Sequence, residues 1–200
     1  MTDTDLGAAL PLPVASVEFQ DRLARRRSAP AQSLTGPGPS RDEIERILLL
    51  GARTPDHGKL FPWRFVVMGP QSRADLAAAL LPLADRQPGA DKARKVLSKL
   101  TAAPVTILVI STPIDSQKVP VWEQQLSAGA VCMNIEHAAN ALGYSASWIT
   151  DWYSYDAAAT ALYGVKDGEL VAGFIHIGTL AEAPLERPRP DLSALTTYRP

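Results

Sequence analysis

Three short stretches carry the residue types from which a chemical site could be built. The first is Arg25-Arg26-Arg27-Ser28. Guanidinium forks, a hydroxyl and the adjacent backbone N–H groups could hold a dianionic phosphate by bidentate, charge-assisted hydrogen bonds. The same run also reads as a solvated basic helix end, since cations favour helix C-termini and arginines are mostly exposed. That plainer meaning is the commoner one. The second stretch is Arg53-Thr54-Pro55-Asp56-His57-Gly58-Lys59, followed by Phe61-Pro62-Trp63. Its crowded basic groups could face an anionic or heteroaromatic ligand; alternatively Asp56 caps a turn and Trp63 packs. The third is Trp148-Ile149-Thr150-Asp151-Trp152, whose aromatics could border a planar ligand or simply fill volume.

Other chemistries find no support. The histidines, His57, His137 and His176, stand at neither H-x3-H nor H-E-x-x-H spacing, so no metal site is expected. Cys132 is the only cysteine, which excludes an intrachain disulfide and a cysteine-built zinc site. There is no G-x-S-x-G nucleophile, and Asp56 beside His57 makes no triad. Neither G-x-G-x-x-G nor a Walker A loop occurs. Anion- and ring-binding potential without a catalytic acid, base or nucleophile fits an enzyme whose cofactor does the chemistry. It fits a plain ligand-binding module equally.

The elements that must position these stretches follow from periodicity and punctuation. Ser16 precedes Val17, Phe19 and Leu23 at helical spacing, a helix that runs into the arginines. Ser40-Arg41-Asp42-Glu43 is a capping box opening a helix that ends near Ala52, closed by Pro55. Phe65–Met68 reads as a buried strand. Ser72 and Asp75 start a helix that should stop near Pro82, and residues 90–100 form one charged, amphipathic helix. The unbroken run Val105–Ile110 predicts a strand covered on both faces. Val121–Leu142 lacks proline and carries Leu126, Ala130 and Met133 on one face, with a small-residue segment, Ser127–Ala130, open to another helix of this or a second chain. Gly143 caps it. Strands at 144–149 and 171–177, with a short helix at 156–162 between them, complete the series. About four strands and five or six helices, not strictly alternating, predict a single α+β domain.

The 200 residues include 46% hydrophobic and 20% charged residues, enough for a sizeable core. The formal net charge of −1 argues against a nucleic-acid partner held through its phosphates. No stretch approaches the ~20 apolar residues of a membrane span, and the N-terminus lacks signal-peptide character. A cytoplasmic protein is expected. Residues 1–15 read as a flexible arm, 16–179 as the domain and 180–200 as a proline-punctuated tail.

The order RRS (26–28), RTPDH (53–57), FPW (61–63), KVPVWEQQLSAG (118–129) and a G-Y-x-x-x-W strand (143–148) resembles the nitroreductase family, in its small single-domain NAD(P)H nitroreductase branch. The resemblance spans about residues 19–178. It implies an α+β fold with a central mixed, mainly antiparallel sheet flanked by helices, in an interlocked homodimer with FMN at the subunit interface. By the same resemblance, Arg26, Arg27 and Ser28 hold the FMN phosphate and ribityl chain. Arg53 and His57 approach the flavin from the partner subunit, and Trp148, Ile149 and Thr150 lie along it. The 121–142 helix would form the dimer core and the tail would wrap the partner. FMN would carry the chemistry, oxidising NADH or NADPH and reducing a small-molecule acceptor (nitroaromatic, quinone or other conjugated compound) by a ping-pong mechanism. Two positions depart from the family pattern: Phe61 stands where many relatives have Gln, and Ile149-Thr150 where many have Arg-Ser. The missing arginine removes a charge contact to flavin, for which Lys59 or Arg199 is a candidate substitute. A non-catalytic flavin- or ligand-binding homodimer is the alternative this weakening suggests, and a structural dimer without cofactor is a third.

Overall fold

The protein is described by a computed structural model covering residues 7–199. Residues 7–15 are exposed and form neither helix nor strand; the rest of the expected N-terminal arm, residues 1–6, lies outside the described residues. The domain comprises α1 (Val17–Arg25), α2 (Arg41–Gly51), β1 (Trp63–Met68), α3 (Pro70–Ala84), α4 (Ala90–Val96), α5 (Ser98–Ala102), β2 (Val105–Ser111), α6 (Val121–Ala141), β3 (Ser145–Ile149), α7 (Ala157–Leu162) and β4 (Leu170–Gly178). After an isolated bridge between Thr35 and Thr179, the tail is exposed apart from Leu180, with one short helix, α8 (Leu192–Leu195).

The four strands pair in the order β1-β2-β4-β3, and all three pairings are antiparallel. The β-branched run of β2 is buried at every position, because successive residues feed opposite layers. Leu108 and Ile110 join Phe174, Tyr153, Leu76 and Leu80 under α3, α4, α5 and α7. Ile107 and Val109 join Ile175, Ile177, Val131 and Ile135 under α2 and α6. The β2–β4 register skips Ala172, a bulge. On the first face, buried His176 holds Thr106 through Nδ1 (2.8 Å), and buried Arg73 donates to the carbonyls of Gly69, Leu100 and Pro104.

Local signals place most boundaries. The Ser40–Glu43 capping box opens α2 with both reciprocal bonds present. Gly143, at φ +90°, closes α6 as the left-handed residue a helix C-terminus requires. Two expectations are corrected. Pro82 does not stop α3, which starts at Pro70 and continues to Ala84; Leu80 and Ala84 on either side are fully buried, and that packing carries the last turn past the missing N–H. The 90–100 segment is two helices, not one. They break at Leu97, where N–H groups of Leu97 and Leu100 reach back only three residues. That tightened turn lets both leucines enter the core.

In α6, Gln124, Ser127, Ala128, Val131, Cys132, Ile135, Glu136, Ala138 and Ala139 are buried against α2 and the sheet. A Cβ at Gly51 of α2 would stand 2.6 Å from Ile135, so the close crossing of α2 over α6 needs that glycine. The stripe singled out in the sequence lies on the other side: Leu126 is exposed, and Ala130 and Met133 are half-buried.

Candidate functional site

β3 is an edge strand, so its outer row of backbone groups must find partners other than a neighbouring strand. The segment leaving α1 supplies one: Ala29 N–H donates to the Ala146 carbonyl (3.0 Å). A carboxylate supplies the other, with Trp148 N–H donating to Glu136 Oε1 (3.0 Å). These two bonds bring the arginine segment and the Trp148-Ile149-Thr150 strand end together. Arg26 Nη1 donates to Ser28 Oγ (3.2 Å) and stands 3.7 Å from Glu136 Oε2. Arg27 Nε donates to the tail carbonyl of Leu185 (2.9 Å). Thr150 shares a hydrogen bond with the Tyr155 hydroxyl (2.8 Å).

Two open cavities adjoin this cluster. One, of about 480 Å³, is lined by Phe19, Arg22, Arg25, Arg26, Arg27 and His137 among others. The second, of about 370 Å³, is lined by Ser28, Pro30, Gln32, Lys99, Trp148 and Ile149 among others. The indole of Trp148 sits in a slot made by two glycines. A Cβ at Gly129 on α6 would lie 3.9 Å from the ring, and one at Gly173 on β4 only 2.0 Å from Nε1. That Nε1–H donates to the carbonyl of Ala172, the bulge residue (3.0 Å). Trp148 therefore fills core volume with its ring and pins the strand end at the cavity.

Arg53 and His57 are not part of this cluster. Their loop runs along α6: His57 Nδ1 meets Glu123 Oε2 (2.7 Å), Ser127 Oγ donates to the Pro55 carbonyl (2.6 Å), and Asn134 Nδ2 donates to Thr54 Oγ1 (2.8 Å) and to the Arg53 carbonyl (3.4 Å). Glu123 and Asn134, which hold this loop, both lie on the face of α6 opposite Glu136, Asn134 being two residues and so about 200° away from it. The plainer reading holds for Asp56, whose carboxylate accepts the Phe61 N–H (2.8 Å), and for Trp63, which is buried. Lys59 and Phe61 take left-handed φ values of 56° and 48°, and Phe61 is exposed.

The sequence reading missed two charged residues at the cluster. Lys99 borders the 370 Å³ cavity and pairs with Asp151 (2.8 Å); neither Lys59 nor Arg199 lines it. Glu136 is 3% exposed. Burial pushes its carboxyl above the ordinary value, against the opposing pull of Arg26 and of the Trp148 N–H. Burial and Arg26 together hold the neighbouring His137 below its usual range. The available signal was a lone carboxylate inside the apolar run CMNIEHAANA.

The model of the family described as "Nitroreductase family" matches residues 23–179. The chain is 32% identical over 178 residues to "Putative NAD(P)H nitroreductase YdjA" of Escherichia coli (strain K12), covering 88% of this chain and 96% of that one. It is 34% identical over 151 residues to a Haemophilus influenzae protein carrying the name "Putative NAD(P)H nitroreductase", covering 74% and 82%. Among solved structures, a nitroreductase-like family protein from Bacillus cereus superposes with a TM-score of 0.79 at 20% identity, over 96% of this chain and 99% of that one. A nitroreductase with bound FMN from Bacteroides fragilis gives 0.72 at 18% identity, over 92% and 100%. With its helix-flanked antiparallel sheet and a family match across most of its length, the chain belongs to the nitroreductase family.

Proposed function

We propose that this protein is an FMN-dependent oxidoreductase that takes reducing equivalents from NADH or NADPH and passes them to a nitroaromatic, quinone or other conjugated acceptor. The observation that carries the reading is the pinning of Arg26-Arg27-Ser28 to the β3 edge beside an open cavity. The donor set fits the cofactor. A phosphate tail would meet the Arg26 and Arg27 guanidinium groups of the 480 Å³ cavity and the Ser28 hydroxyl beside them, and a flat ring system would meet the Pro30, Trp148 and Ile149 lining of the 370 Å³ cavity, with Gln32 and Lys99 as polar partners. Nitroreductase and NAD(P)H in the relatives' names, and FMN bound in a structural neighbour, support it.

When bound, FMN supplies the acceptance and delivery of hydride and electrons. The chain's own residues bind and orient. Arg26, Arg27 and Ser28 would hold the phosphate end; Trp148, Ile149 and Thr150 would border the ring. Arg53 and His57 meet the face of α6 opposite Glu136, Arg53 at Asn134 and His57 at Glu123, so they would serve the second site of a homodimer packed through the Leu126–Ala130–Met133 stripe. The exposed tail, Leu185 and Leu192 included, would lie along the partner. No helix among the described residues is long and apolar enough to cross a membrane, and the single, buried, free cysteine suits a cytoplasmic setting.

The test is the visible spectrum of the purified protein and the mass of whatever it releases on denaturation. FMN at about one per chain, lost in Arg26→Ala/Arg27→Ala with the dimer intact, is the expected result. Parallel initial-rate lines for NAD(P)H against acceptor are expected of the ping-pong scheme. Colourless protein that takes up no added FMN would refute the cofactor assignment.

A further inference from the structure

The two oxygens of Glu136 have different partners. Oε1 accepts the Trp148 N–H at 3.0 Å, holding the end of β3, while Oε2 faces Arg26 at 3.7 Å. We propose that Glu136 is a positioning residue that keeps Arg26 in place until a phosphate ester arrives, and that binding of the phosphate protonates Glu136. The inference rests on the reading of Arg26 as the phosphate anchor.

In the structure, Arg26 is the cation that compensates a carboxylate buried between α6, β3 and the segment after α1. A dianionic phosphate on Arg26 claims that cation and adds negative charge within reach of Oε2, so the ionised carboxylate loses its support in a site that already disfavours it. A proton from solvent on Oε2 removes the conflict. It leaves Oε1 as a carbonyl-type acceptor, so the bond to Trp148 and the position of the strand end survive. The other titratable or charged groups facing this carboxyl are few. Arg26 comes from the segment after α1, and Cys132 lies one turn earlier on α6, its thiol pushed up to about 12 by burial and by Glu136 itself. His137 is adjacent on α6, and β3 offers only the uncharged Ser147 and Trp148. Of these groups, His137 is the other that a bound dianion could protonate.

The experiment is FMN binding to flavin-stripped protein by titration calorimetry, in two buffers of different ionisation enthalpy, from pH 7 to 8.5. FMN's phosphate is about nine-tenths or more dianionic there, its second pKa lying near 6. Wild type should take up close to one proton per FMN, and its Kd should rise by up to about tenfold per pH unit. Glu136→Gln, which retains the amide oxygen for Trp148, should bind FMN with no proton uptake and a flat Kd. His137→Asn should behave as wild type. Equal uptake in Glu136→Gln and wild type, or uptake abolished by His137→Asn instead, would overturn the inference while leaving the flavin assignment standing. Failure of every variant and of wild type to bind FMN would overturn both.

Discussion

Replacing Gly173 by alanine should unseat Trp148. The new methyl would stand 2.0 Å from Nε1 and 2.3 Å from Cδ1 of the indole. To regain ordinary contact, about 3.4 Å, the ring edge must retreat by roughly 1.4 Å. Its Nε1–H bond to the Ala172 carbonyl opposes that movement, and α6 lies at the far end of the ring, where a Cβ added at Gly129 would stand 3.9 Å from Cη2. Overpacking of this kind costs about 1–3 kcal/mol. Moving the ring also breaks the Nε1–H bond to the Ala172 carbonyl, worth about 0.5–1.5 kcal/mol. Alanine returns about 0.4–1 kcal/mol by restricting the unfolded chain, leaving a net loss of about 2–3 kcal/mol. For a domain of this size that corresponds to a Tm lower by about 4–12 °C. Thermal unfolding followed by circular dichroism measures it, and a red shift of tryptophan emission reports the ring's exposure. In a Trp148→Ala background the same substitution should cost less than about 0.5 kcal/mol, giving a coupling energy of about 2 kcal/mol. A Gly173→Ala protein with wild-type Tm and emission, or an equal cost in both backgrounds, would refute the reasoning.

Three further outcomes are expected. Burial, with Arg73 and Lys99 nearby, lowers His176 to about 4, whereas the unfolded chain protonates it near 6.5. The unfolded state therefore binds the extra proton between these values, and stability present above pH 6.5 is lost as pH falls towards 4, by about 3 kcal/mol; His176→Leu should flatten that acid limb in denaturant titrations, and an unchanged slope would count against it. Cys132, its thiol raised to about 12, should not react with Ellman's reagent at pH 8 in the native protein and should react fully in guanidinium, so rapid native labelling would contradict the burial. Ala130→Arg, on the partly exposed stripe of α6, should elute as a monomer in size-exclusion chromatography and lose its flavin; a dimer with full flavin would refute the assignment of that stripe.

Much of the fold is legible locally because its signals are local. The Ser40–Glu43 box and Gly143 act through backbone groups within a few residues of themselves, and the apolar run of β2 announces two covered faces by its composition alone. What escaped depends on neighbours remote in the chain. Pro82 stays helical because Leu80 and Ala84 are buried, and no window around the proline contains that fact. The candidate site divides the same way. The arginine run and the tryptophan strand end are conspicuous by residue type, yet the groups that join them, Glu136 and the Ala29–Ala146 pairing, acquire meaning only once α6 lies behind an edge strand. Lys99 was hidden for a like reason: nothing in its own helix connects it with a cavity bounded by residues some fifty positions later.

The placement of the two residue sets on opposite faces of α6 has a genetic corollary. In the two-copy arrangement proposed above, each site draws Arg26 from one chain and Arg53 from the other. When a chain bearing Arg26→Ala pairs with one bearing Arg53→Ala, both lesions fall in the same site and the remaining site is wild type in composition. Two defective alleles would then complement one another within a single dimer, to at most half the normal complement of working sites, whereas lesions at Arg26 and Arg27 would not.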